Sequence, residues 1–337
     1  MTTPKRRLPV MADVAKEAGV SHQTVSRVLN DHPNVRADTR ARVEAAITRL
    51  GYRRNLVARA LVTKRSRTLG VVSFDTKLYG PASTIYGIEQ AARTAGYFVS
   101  IVSLKSLDTA SVREAIDYLA EQGVDGVVVV APQRSAARAL VKLPSGLPAV
   151  AVEGTHSADV SAVCIDQMEG AKLAVRHLLQ LGHKTVWHVR GPSDWLEAEG
   201  RLEGWRAALE EAGRPVPEPL VGDWSPHAGY EAGKSLAAMD GVTAVFTAND
   251  QMALGVLRAL SEEGVRVPGQ ISVVGFDDIP ESEFFSPPLT TVRQDFDVVG
   301  RHCIEVLLRQ IDAGPTAYEP LVIRPSFVVR SSTAPVR

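Results

Sequence analysis

The chain has 337 residues, 45% of them hydrophobic, and its 38 Lys and Arg are balanced by 38 Asp and Glu. That length normally makes two or three domains with buried cores, which excludes disorder throughout, and the longest apolar runs, such as Val127 to Pro132 and Leu147 to Val152, fall far short of the roughly 18 residues a membrane helix needs. The zero net charge argues against nucleic acid only until it is divided, because residues 1–67 carry 15 basic and 5 acidic side chains and the other 270 carry 23 and 33.

Residues 10 to 51 read as three short helices. Met11, Val14, Ala15 and Ala18 recur at helical spacing, and Gly19 breaks the run. Ser21 is placed to cap a second helix over Gln23 to Leu29, whose Val25, Val28 and Leu29 face the first. A third helix from about Asp38 to Leu50 sets Val43, Ala46, Ile47 and Leu50 on one stripe, and Gly51 stops it. This is a helix-turn-helix layout. The exposed face of its second helix offers His22, Gln23, Ser26 and Arg27, donor and acceptor types that suit base edges in a major groove but equally fit a solvated helix surface. The surrounding Lys5, Arg6, Arg7, Arg36, Arg40, Arg42, Arg49, Arg53 and Arg54 tip the balance, since clustered cations attract phosphate whatever the base sequence. Beyond Tyr52, Asn55 to Leu61 has helical composition but is too short to hold alone.

From Thr68 onward apolar strands and helical stretches alternate: Leu69 to Phe74, a helix around Thr84 to Thr94, Phe98 to Val102, a helix over Ser111 to Glu121, then Gly126 to Val130. After Ile165 the order repeats, with helices over Gly170 to Leu181, Leu202 to Glu211 and Met252 to Glu263, and strands at Thr185 to Val189, Ala244 to Thr247 and Ile271 to Phe276. Two α/β lobes with parallel sheets are expected. Ligands of such sheets gather at the carboxyl ends of strands, where Glu153, Asn249, Asp250, Asp277 and Asp278 follow apolar runs, Arg201 opens a helix and Trp224 follows Leu220 to Asp223. Carboxylates, an amide, a guanidinium and a flat aromatic suit a sugar. Singly, each has an ordinary structural role: Asn249 or Asp250 as a helix cap, Asp277 as a turn, Trp224 as core.

Other classes find little support. No G-x-S-x-G, H-E-x-x-H or P-loop occurs, and the 8 histidines show no metal spacing, so neither an enzyme nor a metal or other cofactor is expected. Asp13, Lys16 and Glu17 interrupt any apolar h-region, which argues for a cytoplasmic protein. Cys164 and Cys303 lie too far apart in sequence for a metal knuckle or redox pair and read as small buried residues.

The run Asp13-Val-Ala-Lys-Glu-Ala-Gly-Val-Ser-His-Gln-Thr-Val-Ser-Arg-Val-Leu-Asn30 closely resembles the DNA-binding signature of the LacI family of bacterial transcription regulators, and the likeness continues through Asn34 to Ala46 and Leu50-Gly-Tyr52. It implies operator contacts from His22, Gln23, Ser26, Arg27 and Asn30, with His22, Gln23 and Arg27 at the base-reading positions. It also implies a hinge helix that uses Asn55, Ala58 and a minor-groove wedge, Leu61. Two positions depart from the family: Arg54 replaces a usual proline, and Val10 replaces a Thr or Ser that would cap the first helix.

Further on, Ala248-Asn-Asp-Gln-Met-Ala-Leu-Gly255, Ile271 to Asp278 and Pro288 to Phe296 resemble the family's effector domain, a fold similar to periplasmic sugar-binding proteins. The resemblance implies effector contacts from Arg201, Trp224, Asn249, Asp277 and Phe296, with Pro81 on the first-lobe rim and Gln294 near a lobe crossing. Glu153 stands where the family's type member has a shorter aspartate, and Glu197 falls near a small serine. The implied organisation is a headpiece over 1–53, a hinge over 54–66, an effector domain over 67–331 and a tail over 332–337. Its first lobe takes about 67–165 and 296–323, its second about 166–292 and 324–331. After Thr333 only four residues remain, with no apolar heptad for a coiled coil, so a homodimer is expected. The implied function is a repressor released from a palindromic operator by a small saccharide, of galactoside or glucoside type. The alternative is a regulator of purine-repressor type, whose co-repressor tightens DNA binding.

Overall fold

The computed structural model describes residues 9–53, 63, 65–74, 77–104, 108–130, 133, 146–152, 160–314 and 320–336. It divides into two units, Met1–Ser66 and Arg67–Arg337. Asn55, Ala58, Leu61 and the unusual Arg54, like Glu153 in the second unit, lie outside the described residues.

In the first unit α1 (Met11–Ala18), α2 (His22–Leu29) and α3 (Ala37–Leu50) enclose Val14, Ala15, Ala18, Val25, Val28, Val43 and Ala46. Helices of eight residues are too short to persist alone, so this shared core holds them. Gly19, at φ 62°, closes α1 in the left-handed conformation that its lack of a Cβ permits. Two residues later Ser21 Oγ accepts the Thr24 N–H at 3.1 Å and opens α2. Val10 gives α1 no side-chain cap, as expected. Asp13 supplies the reciprocal half of a capping box instead, its Oδ2 accepting the Val10 N–H at 2.8 Å.

The second unit holds two six-stranded sheets. Its first lobe contains β1 (Thr68–Phe74), α4 (Tyr79–Thr94), β2 (Phe98–Leu104), α5 (Thr109–Glu121), β3 (Gly126–Val130), β4 (Ala149–Val152) and β5 (Ser161–Ile165). Its second lobe contains α6 (Gln167–Gln180), β6 (Trp187–Arg190), α7 (Leu196–Glu211), β7 (Leu220–Val221), α8 (Pro226–Ala237), β8 (Ala244–Thr247), α9 (Asp250–Glu262), β9 (Ser272–Asp277) and β10 (Thr290–Arg293). The chain then returns to lobe one as α10 (Phe296–Ala313) and β11 (Leu321–Ile323), and ends in lobe two with β12 (Ser326–Val328). The sheet orders are β11-β5-β4-β3-β1-β2 and β12-β10-β9-β8-β6-β7, parallel throughout except for the antiparallel pair of β10 with β12. Every residue of β3, β4, β8 and β9 is buried, the mark of strands covered on both faces.

Three crossings therefore join the lobes: Ile165 to Gln167, Arg293 to Phe296 and Ile323 to Ser326. The first and third are tied by the Asp166 N–H, which donates to the Ile323 carbonyl at 2.9 Å. In lobe two Trp205 is fully buried and donates its Nε1–H to the Val186 carbonyl at 2.8 Å, so its bulk costs no unpaired donor.

Several elements differ from the sequence expectation. The helix α7 starts at Leu196 rather than Leu202, because Glu197 and Glu199 suit a helix N-terminus although they break the apolar stripe, and Arg201 consequently sits in its second turn. Cys303 is buried, but Cys164 is only half-buried. The residues from Ser332 pack into lobe two: Ser332 is fully buried, its Oγ donating to the Val273 carbonyl at 2.6 Å and accepting the Thr290 N–H at 2.8 Å. No described helix is long and apolar enough to cross a membrane.

Candidate functional site

On the headpiece the first turn of α2 presents His22 and Gln23, the last presents Arg27, and Asn30 caps its end; all four are exposed, whereas Ser26 is half-buried and accepts a hydrogen bond from Asn30 Nδ2 at 3.4 Å. This happens because Val25 and Val28, on the opposite face, are drawn into the core. Arg36, Arg42 and Arg53 are exposed. Two other arginines are engaged: Arg40 donates to Asp31 Oδ1 at 2.6 Å and Arg49 to Glu17 Oε1 at 2.6 Å.

In the second unit a narrow cleft with a cavity of about 30 Å³ lies between the lobes at the carboxyl ends of β1, β6, β8 and β9. Lobe one contributes Leu78, Tyr79, Gly80 and Pro81 from the start of α4. Lobe two contributes Trp195, Glu197, Arg201, Trp224, Asn249, Gln251 and Asp277, and Gln294 reaches in from the second crossing. The cleft thus gathers Pro81, Glu197, Arg201, Trp224, Asn249, Asp277 and Gln294 from the sequence expectation. Phe296 stands behind its wall, its ring edge-on to Tyr79 at 5.8 Å.

Arg201 is the polar centre. Its guanidinium lies 3.9 Å from the Phe276 ring centroid and 5.5 Å from that of Trp224, its Nε–H donates to Gln167 Oε1 at 2.9 Å, and Nη1 donates to the Ala248 carbonyl. Nη1 also lies 3.7 Å from Asp277 Oδ1. Burial pushes the Asp277 carboxyl up to about 8 despite the pull of Arg201, and the nearby Asp250 and Glu197 push in the same direction. Burial raises the Glu197 carboxyl too, again against Arg201.

Asn249 is a helix cap and a cleft residue at once. Its Oδ1 accepts the Met252 N–H at 2.9 Å, and its Nδ2 donates to the Trp224 carbonyl and to Gln251 Oε1, both at 3.0 Å. Trp224 has a left-handed φ of 74° and lays its indole over Gly191, where any Cβ would collide with the ring. It meets Trp195 edge-to-face at 5.5 Å, and its Nε1 has no hydrogen-bond partner among the described residues. Asp277 and Asp278 also carry positive φ, 112° and 55°, so backbone strain clusters at the cleft.

Sequence reading missed Gln167 and Trp195. Gln167 is polar within a helical stretch and reaches the cleft residues Arg201 and Gln294 only because α6 begins at a lobe crossing. Trp195 follows Gly191, Pro192 and Ser193, beyond the end of β6, and only its position at a strand's carboxyl end could have singled it out.

The profile of bacterial regulatory proteins of the lacI family matches residues 10–55, and that of the periplasmic binding protein-like domain matches 175–333. The lactose operon repressor of Escherichia coli is 35% identical over 95% of this chain and 89% of its own length. The transcriptional repressor PurR of Haemophilus influenzae is 34% identical over 96% and 98%. Among solved structures, the lac repressor dimer bound to operator and the anti-inducer ONPF superposes with a TM-score of 0.87 at 33% identity, covering 97% of this chain and all of that one. The complex of the regulator CelR with cellobiose superposes with a TM-score of 0.72 at 32% identity, covering 96% and 99%. With an exposed helix-turn-helix face, a polar cleft between the lobes of its second unit and relatives that are repressors rather than enzymes, this chain belongs to the LacI family of bacterial regulatory proteins and is a DNA-binding transcriptional repressor.

Proposed function

We propose that the effector is a small saccharide bound between the lobes and that it releases the repressor from a roughly palindromic operator. The observation that carries this reading is the pairing of the buried Arg201 and Asp277 with the two indoles of Trp195 and Trp224. A sugar needs that combination, since its hydroxyls take charged or neutral hydrogen bonds while its C–H face lies against an aromatic ring. The cellobiose complex of CelR and a ribose complex of a LacI-family regulator from Enterococcus faecium support it. Within each half-site, His22, Gln23 and Arg27 read base edges, while Arg36, Arg42 and Arg53 hold phosphate.

The repressor works as a homodimer. Phe98 and Ile101 on the edge strand β2, with Phe284 beyond β9, are 66%, 47% and 80% exposed, more apolar surface than a lone edge strand carries without risk. Light scattering at micromolar concentration should give twice the chain mass, and a monomer would sink this part of the proposal.

Likeness to PurR favours a second reading, a co-repressor that tightens DNA binding. A thermal-shift screen of the full chain against lactose, cellobiose, ribose and purine bases separates the two, because a ligand of the folded state raises the melting point by mass action. Gel shifts on an operator selected from random duplexes then give the sign. Sugars should bind and release DNA; a purine that binds and tightens it would replace the saccharide reading.

A further inference from the structure

Gln167 opens α6 immediately after the first lobe crossing, behind Asp166, whose Oδ1 caps the helix by accepting the Glu169 N–H at 2.9 Å. Gln294 occupies the second crossing, between β10 and α10. Both side chains are buried and they bond to each other, Gln167 Nε2 donating to Gln294 Oε1 at 2.9 Å. One end of this pair receives the Arg201 Nε–H at 2.9 Å on Gln167 Oε1, and the other donates from Gln294 Nε2 to Asp277 Oδ1 at 2.6 Å.

The direction of the four-residue chain is fixed. A guanidinium only donates, so Gln167 must turn its oxygen to Arg201 and its nitrogen to Gln294, which in turn must present its nitrogen to Asp277. Neither amide can flip without leaving two donors or two acceptors facing each other inside the protein. Its two ends line the cleft, and its two middle members sit on the lobe crossings. The third crossing joins through the Asp166 N–H to the Ile323 carbonyl.

We propose that Gln167 is a positioning residue that couples effector occupancy at Arg201 and Asp277 to the geometry of the lobe crossings, and so to operator affinity. The inference rests on the reading that the effector binds between the lobes. A ligand that takes hydrogen bonds from Arg201 or gives them to Asp277 alters the partners at one end of the chain. Because buried hydrogen bonds polarise one another and cannot be left unmade cheaply, the crossings must readjust. An effector shifts DNA affinity only through such a difference between two arrangements of the same protein.

The test uses the full chain, the selected operator duplex, and lactose, cellobiose, ribose, adenine and guanine as probes. The readout is the ratio of operator dissociation constants with and without a saturating probe. Gln167→Met keeps the length of the side chain and removes both hydrogen bonds; Gln167→Glu keeps the acceptor for Arg201 and removes the donor to Gln294. Both should bring that ratio about tenfold closer to one while operator affinity without probe stays within about twofold. By reciprocity the probe's affinities for free and operator-bound protein should converge by the same factor. A merely structural glutamine would lower the melting temperature and leave the ratio intact, and that result overturns the proposal. An unchanged ratio in Gln167→Glu overturns it as well, and this variant decides the matter if Gln167→Met does not fold. Should no probe bind the wild-type chain, the between-lobes reading fails first and the inference falls with it, a failure visible before any variant is made.

Discussion

The headpiece and the cleft handle polar groups in opposite ways. On α2 the proposed operator-reading side chains stand in solvent and owe their placement to one amphipathic helix, whereas in the cleft Arg201, Asn249, Asp277 and Gln294 are each at least nine-tenths buried and held by residues from separate elements. The first arrangement stores little and recognises through long-range charge. The second is held by buried hydrogen bonds whose loss is costly, and on the proposed function it recognises its ligand through them. Salt, substitution and pH should therefore act on the two regions differently.

Ionic strength should separate them furthest. If the exposed arginines around α2 help to neutralise six or more phosphates, operator affinity falls by about a thousandfold or more between roughly 50 and 200 mM salt. Effector affinity, set among buried groups, should change by less than about twofold over the same range. Fluorescence anisotropy on labelled operator, with calorimetry for the effector, measures both; salt-insensitive operator binding would contradict the electrostatic account of the headpiece.

Arg201→Ala comes next. It removes charged hydrogen bonds worth about 1.5–3 kcal/mol and leaves Gln167 Oε1 without its donor, so effector affinity should drop roughly ten- to a hundredfold or more. Operator binding without effector should survive, because the proposed base-reading side chains lie on α2 in the first unit and Arg201 lies in the second. Gel-shift titration that shows normal release by the inducer would remove Arg201 from the effector site.

On the headpiece the comparable change is smaller and of another kind. Arg27→Ala should cost about 1–3 kcal/mol at one base position of each half-site and relax discrimination there. Arg36→Ala should weaken all sequences alike and flatten the salt dependence. Binding selection on each variant distinguishes the two, and equal losses on every sequence for Arg27→Ala would make that arginine a phosphate contact.

The same contrast explains what was legible in the sequence. The headpiece is local: a cap at Ser21, a break at Gly19 and a stripe of valines specify it within forty residues, down to the exposed face. The Val10 departure was visible, but the rescue by Asp13 depends on a side chain turning back across the first turn of α1. In the body, strand ends pointed to Asn249 and Asp277, yet Asn249 also proved to be the cap of α9, so the structural role and the place in the cleft fall on one residue. Gln167 was illegible because its partners lie 34 and 127 residues away and meet only after two crossings have formed.

Titration of Asp277 tests the cleft most finely. Its folded carboxyl stands near 8, above the ordinary carboxylate range of about 4 that it has in the unfolded chain, so between those values the native state holds a proton that the unfolded state has released. Its contribution to stability is therefore complete at acid pH and is lost as pH rises through 8. Asp250, fully buried and pushed up to about 6 by the same desolvation, acts in the same direction but finishes earlier. Melting temperature should accordingly decline from pH 6 to pH 8.5, chiefly through Asp277. Asp277→Asn keeps a neutral group that can turn its oxygen toward Gln294, and it should flatten that decline while leaving the Asp250 window below pH 6 in place. If the variant and the wild-type chain decline in parallel above pH 6, Asp277 is ionised in the folded protein, and the cleft meets its ligand with a carboxylate opposite Arg201 rather than with a carboxylic acid.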